Sequence, residues 1–155
     1  MVTSAQCIKK FGEPGGKNES QYMTIWAVPA DIKAAFAHVK FSALGTIGFP
    51  AKIYCNKLLQ PLIEKALRGL MAAGKTSELK TWDGCYIVRN KRLGSSYSLH
   101  SWGAAIDINA FENRQGVAPK LSKTFVKAFT DAGFEWGGVW SGKSVDGMHF
   151  QIKSL

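Results

Sequence analysis

Two histidines and two aspartates fall in two short stretches of the chain. His100 and Asp107 lie in Ser98-Leu99-His100-Ser101-Trp102-Gly103-Ala104-Ala105-Ile106-Asp107-Ile108-Asn109, and Asp146 and His149 in Asp146-Gly147-Met148-His149-Phe150-Gln151. Two imidazole nitrogens and one carboxylate oxygen form a ligand set that zinc accepts in hydrolytic sites, with the fourth position left to water. A further carboxylate beside such a set is suited to take a proton from the attacking water. His100, Asp107 and His149 are therefore candidate ligands of one zinc ion, and Asp146 is a candidate general base. The same residues also have a plainer reading, with Asp107 an exposed strand residue and His149 a hydrogen-bonded histidine beside a sheet.

Strands are expected to position this set. In Ala104 to Asn109, side-chain alternation sends Ile106 and Ile108 to one face and Asp107 to the other, with Ala105 and Asn109. In Met148 to Lys153, Met148, Phe150 and Ile152 share the core face, and His149 and Gln151 share the opposite one. If the two strands are neighbours, Asp107 and His149 point the same way. Gly103, between His100 and Asp107, lets the backbone fold back towards the site.

Further β-like runs cover Cys85 to Val88 and Phe134 to Trp136. Three helices are expected behind them. One opens at Pro29-Ala30-Asp31, with Ile32, Phe36, Val39 and Leu44 as its apolar face. A second is capped by Asn56, carries Leu58, Leu59, Leu62, Ile63, Ala66, Leu67, Leu70 and Met71, and ends at Gly74. The third runs from about Ser122 to Ala132 and stops at Gly133. Residues 12 to 20 read as a Gly/Pro/Asn-rich loop, and His38 as a packing or solvent-facing histidine. The pattern predicts an α+β fold with a small antiparallel sheet.

The 155 residues, 46% hydrophobic and 20% charged, suit one soluble domain over 1–155 with its own core. No apolar stretch approaches the roughly 20 residues that cross a bilayer, so no stable membrane insertion is expected. No apolar segment follows Lys9 and Lys10, so the expectation is synthesis in a cytoplasm without a signal peptide. Cys7, Cys55 and Cys85 are odd in number and lack C-x-x-C spacing, which predicts reduced thiols. A formal charge of +9 suits an anionic partner. The lysines are scattered and no nucleic-acid motif is present, so nucleic acid is not the expected one.

The string from Ser98 to Asp107 closely resembles the S-x-H-x-x-G-x-A-x-D signature of the D-alanyl-D-alanine carboxypeptidase and L-alanyl-D-glutamate endopeptidase family of zinc peptidases. Asp146-Gly147-Met148-His149-Phe150 is similar to the family's closing D-x-M-H-F element, and Gly133 to Trp140 to the G-F-x-W-G-G-x-W run of its phage-encoded and bacterial members. The resemblance spans about Trp82 to Phe150. It implies the fold shared with lysostaphin-type peptidases and the hedgehog signalling domain. It also implies that His100, Asp107 and His149 hold the zinc, that Asp146 is the base and that Ser98 contacts substrate near the scissile bond. The family's upstream arginine, which polarises the scissile carbonyl, is best matched by Arg89, with Arg92 as competitor. Trp136, Trp140, Trp102 and Tyr97 could line the cleft or pack in the core.

The resulting expectation is a peptidoglycan-degrading zinc peptidase acting after release to the cell wall, monomeric and of bacteriophage endolysin type, cleaving the L-alanyl-D-glutamate bond. D-alanyl-D-alanine carboxypeptidase action with the same site is the alternative. A non-catalytic zinc-containing binding module is a further one, against which the carboxylate of Asp146 speaks.

Overall fold

The computed structural model describes residues 1–155. In chain order its helices are α1 (Ser4–Phe11), α2 (Glu19–Tyr22), α3 (Ala30–Ala35), α4 (Gln60–Ala72) and α5 (Lys123–Ala132). Its strands are β1 (Met23–Ala27), β2 (Lys40–Phe41), β3 (Thr46–Ile47), β4 (Lys52–Asn56), β5 (Thr81–Gly84), β6 (Ala105–Ile108), β7 (Phe134–Trp136) and β8 (His149–Ile152). Strands β1 and β4 form a separate antiparallel pair, and the rest form a six-stranded sheet in the order β3-β2-β5-β6-β8-β7. The sheet is antiparallel except where β2 runs parallel to β5. The α+β expectation agrees with this architecture, which is compatible with the fold of the peptidase family.

The two helices with the clearest apolar periodicity form the layer behind the sheet. On α4, Ile63, Ala66, Leu67 and Leu70 are buried, and on α5, Phe125, Phe129 and Ala132. Ser122 caps α5 by accepting from the Phe125 amide at 3.1 Å, and Gly133 ends it in the left-handed conformation. Phe129 then meets Phe150 of β8 at 4.6 Å and Phe134 of β7 at 5.6 Å between ring centroids. Alternation along β6 and β8 thus buries Ile106, Ile108, Phe150 and Ile152 towards the helices and leaves the other face for the site.

Several expected elements fall differently. The helix opening at Pro29 ends at Ala35, and the chain turns into the β2–β3 hairpin, leaving Leu44 exposed. Phe36 and Val39 are fully buried, but from a turn, whose contacts give the same apolar spacing as a longer helix. Asn56 ends β4, and its Oδ1 accepts from the Leu58 amide at 3.0 Å, one turn before α4 begins. The strand expected over Cys85 to Val88 is displaced upstream to Thr81–Gly84. Cys85 to Val88 lie outside the ladder, where the Cys85 carbonyl serves the site and Ile87 and Val88 are exposed.

Helix α1 was not expected, although Thr3 and Gln6 form a reciprocal capping box that is readable as T-x-x-Q. All three cysteines are free and buried. His38 bridges the carbonyls of Thr76 and Leu79 through Nε2 at 3.1 and 3.0 Å, a structural position away from the site. No helix is long and apolar enough to cross a membrane.

Candidate active site

Strands β6 and β8 are hydrogen-bonded neighbours with Asp107 directly opposite His149. Directly opposed residues project from the same face of a sheet, so register alone brings the carboxylate to the imidazole. His100 arrives from a 3₁₀ turn, Leu99–Trp102. Ser98 caps this turn, and its hydroxyl accepts from the His100 amide at 3.4 Å. The turn is anchored from behind by Trp102, which is fully buried and donates Nε1–H to the Gly12 carbonyl at 2.8 Å.

Gly103 closes the turn with φ of +59°, and a Cβ there would lie 2.6 Å from Met23 Cε and 2.9 Å from the Asn56 nitrogen. The backbone on that side cannot yield, because the Asn56 amide donates to the Gly103 carbonyl at 3.0 Å. Gly103→Ala is expected to cost at least about 2 kcal/mol, visible as a lowered Tm in thermal unfolding.

Three atoms converge. His100 Nε2 lies 3.2 Å from His149 Nδ1, His149 Nδ1 lies 3.2 Å from Asp107 Oδ1, and His100 Nε2 lies 3.2 Å from the same oxygen. Donors about 2.0 Å from a tetrahedral ion are spaced about 3.3 Å apart, so this triangle has the dimensions of one face of a zinc coordination tetrahedron. The outer nitrogens are also committed. His100 Nδ1 donates to the Cys85 carbonyl at 2.8 Å, and His149 Nε2 donates to Gln151 Oε1 at 3.1 Å. These bonds fix both tautomers with the inner nitrogen as a lone pair, the arrangement a metal requires. The three residues fit one metal ion, and this is the site's candidate metal centre.

The electrostatics match a charged ligand cluster. Burial alone would raise the Asp107 pKa, but the two histidines hold its carboxyl well below the usual range. Burial alone would lower His149, but the hydrogen bond and charge of Asp107 outweigh it and raise its pKa.

Asp146 stands beside the triangle without entering it. Its amide donates to the Gly137 carbonyl at 3.0 Å, and its carbonyl accepts from the His149 amide at 3.2 Å. Gly137 permits this closeness, since a Cβ there would sit 2.6 Å from the Asp146 carbonyl oxygen. Burial pushes the Asp146 carboxyl up to about 6, against the opposing pull of His149 and Arg92. Its Oδ1 is enclosed and without a hydrogen-bond partner.

A cleft of about 490 Å³ opens on this face. Asp146, His149, Ser98, Trp140, Arg89 and Arg92 all line it. The Trp140 ring stands 5.4 Å from the His149 ring, and its Nε1 donates to Glu135 Oε1 at 3.1 Å. Both arginines reach the cleft by different routes. Arg89 leaves no strand, contrary to expectation. Its backbone is held instead by Ser101, whose hydroxyl accepts from the Arg89 amide at 3.1 Å and donates to the Arg89 carbonyl at 2.9 Å. Arg92 is more exposed, and its charge acts on the Asp146 carboxylate.

Three of the aromatic candidates do not line this cleft. Tyr97 packs edge-on against Trp102 at 5.7 Å, and Trp102 itself is core. Trp136 stacks on Phe150 at 6.1 Å. Sequence reasoning missed the Cys85 carbonyl, a backbone group that carries no residue-type signal. It also assigned no role to Gln151, although strand alternation had placed that residue on the His149 face.

Residues 92–152 match the model of a family described as D-alanyl-D-alanine carboxypeptidase, a segment that contains all three converging ligands and Asp146. The matched stretch, 61 of the 155 residues, is similar to that family. No curated protein and no solved structure matches the chain.

Proposed function

We propose that this protein is a zinc peptidase that hydrolyses the stem peptide of bacterial peptidoglycan. The observation that carries this reading is the 3.2 Å triangle of His100 Nε2, Asp107 Oδ1 and His149 Nδ1, whose His149 lines one cleft together with Asp146. Zinc held by these three residues would polarise the scissile carbonyl and acidify water. Asp146 takes a proton from the attacking water and passes it to the departing amine. Its raised pKa and its unpartnered Oδ1 suit a group that both accepts and returns a proton. Ser98 and Trp140 line the path of the peptide beside His149. Arg89, Lys91 and Arg92 add positive charge to the cleft's lining, which favours a substrate with carboxylates near the cleaved bond.

Arg89 is the proposed donor to the carbonyl oxygen, with Arg92 as the rival. Loss of one such donor costs on the order of a hundredfold or more in kcat. Arg89→Ala is expected to show that loss and Arg92→Ala mainly a higher KM, and steady-state kinetics of the two variants decides between them.

The endolysin reading, with cleavage between L-Ala and D-Glu, fits a basic protein meeting an acidic wall. The carboxypeptidase reading is favoured by the description of the matching family. Mass spectrometry of fragments released from purified peptidoglycan separates them. Stem peptides beginning at D-Glu mean the endopeptidase, and free D-Ala means the carboxypeptidase.

A further inference from the structure

Gln151 has two ends with different surroundings. On β8 it follows His149 by two residues and shares its face of the sheet, between Ala105 of β6 and Glu135 of β7. Its Oε1 accepts from His149 Nε2 at 3.1 Å. The orientation of the amide follows from metal binding, since a metal held on His149 Nδ1 leaves Nε2 to carry the proton and Oε1 is the acceptor that faces it. The other end, Nε2, is enclosed and has no hydrogen-bond partner, although Gln151 lines the cleft that holds Asp146 and His149. A buried amide N–H left unpaired is costly, and proteins satisfy such groups or use them. Glu135, the neighbour in register, does not satisfy it: its Oε1 accepts from Trp140 Nε1 and its Oε2 faces the Met1 ammonium at 3.6 Å.

We propose that Gln151 is a bifunctional residue: its carbonyl positions His149 for the metal, and its amide N–H donates to an oxygen of the bound stem peptide, a carbonyl or carboxylate adjoining the scissile bond. The peptide half rests on the function proposed above; the positioning half does not. In the positioning role, the Gln151 carbonyl fixes the His149 tautomer and ring plane, a task usually given to a carboxylate or backbone carbonyl behind a metal-bound imidazole. In the recognition role, its donor is presented one residue pair along β8 from His149, in a cleft whose lining also includes Arg89, Lys91 and Arg92.

Two substitutions separate the ends. Gln151→Glu keeps an acceptor for His149 and replaces the donor by a negative oxygen, whereas Gln151→Met keeps the volume and removes both. Zinc affinity is measured by competition with a chromophoric chelator. Affinity for a synthetic L-Ala-D-Glu-containing stem tetrapeptide is measured by calorimetry on zinc-loaded protein in an Asp146→Ala background, so that the peptide is not consumed.

Gln151→Glu is expected to hold zinc at least as tightly as its parent and to bind the peptide about tenfold or more weakly. Gln151→Met is expected to lose about tenfold or more in both. Equal peptide affinity in Gln151→Glu and its parent overturns the recognition role, and unchanged zinc affinity in Gln151→Met overturns the positioning role. A parent that binds no peptide overturns the recognition role together with the stem-peptide reading. Tight peptide binding without cleavage by the wild-type protein contradicts the proposed hydrolysis and leaves Gln151's two roles standing.

Discussion

Asp146→Ala is expected to lower kcat on peptidoglycan by about a hundredfold to ten-thousandfold while zinc stays bound at near wild-type affinity. The magnitude is that of removing a positioned general acid-base, and the separation of the two effects follows from where the carboxylate stands. Asp146 contacts His149 only through the backbone, by a carbonyl that alanine retains, so the triangle of ligand atoms has no reason to move. The same carboxylate sets the pH dependence. Catalysis needs it ionised, burial places its pKa at about 6, and kcat/KM therefore falls as pH drops through that region. A divalent ion in the triangle favours the ionised form, so the acidic limb lies at or below about pH 6. A variant with wild-type turnover would remove Asp146 from the mechanism, and stopped-time assays with parallel zinc analysis provide both numbers.

His149→Ala has the larger effect on the metal. It removes one of three ligand atoms, so the loss of zinc affinity should exceed the roughly hundredfold associated with outer partners of a ligand, and cleavage should disappear with the metal. It also strips the half-buried Asp107 carboxylate of one of the two imidazoles that hold its pKa down, which weakens the metal-free fold as well. In the wild-type protein Asp107 raises the His149 pKa, and zinc requires the neutral ring, so zinc affinity should weaken progressively as pH falls. Chelator competition at several pH values measures this directly, and affinity independent of pH would exclude His149 as a ligand.

The facing of Asp107 and His149 was legible because both lie on strands with clean alternation, whereas His100 arrives from a turn. Ile106 and Ile108 mark the core face of β6, Phe150 and Ile152 that of β8, and parity assigns Asp107, His149 and Gln151 to the other face without any knowledge of neighbours. Helices α4 and α5 were legible for the same kind of reason, each having one apolar stripe and a glycine near its end. Parity carries no information on where a strand starts, and the strand placed at Cys85 to Val88 lies four residues upstream at Thr81–Gly84. The backbone departs from the ladder there because the Cys85 carbonyl accepts from His100 and the Ile87 amide donates to the His100 carbonyl at 3.2 Å.

The β1–β4 pair was missed because neither strand announces itself. Ile25 and Tyr54 face outward and blur the alternation, and the pairing of Met23 with Asn56 is a long-range contact that local sequence does not encode. The helix predicted through Leu44 failed because an apolar spacing of three and four residues is equally produced by a short helix followed by a buried turn. The orientation of each imidazole was set by a carbonyl, one of the backbone and one of Gln151, and neither is visible as a motif.

The most direct measurement is zinc-dependent release of new amino termini from purified peptidoglycan. Protein stripped with a chelator should release none, and addition of one equivalent of zinc should restore release, with Asp146→Ala inactive at the same zinc content. Cleavage that survives complete metal removal, or a zinc-loaded wild-type protein that leaves the stem peptide intact, would contradict the account.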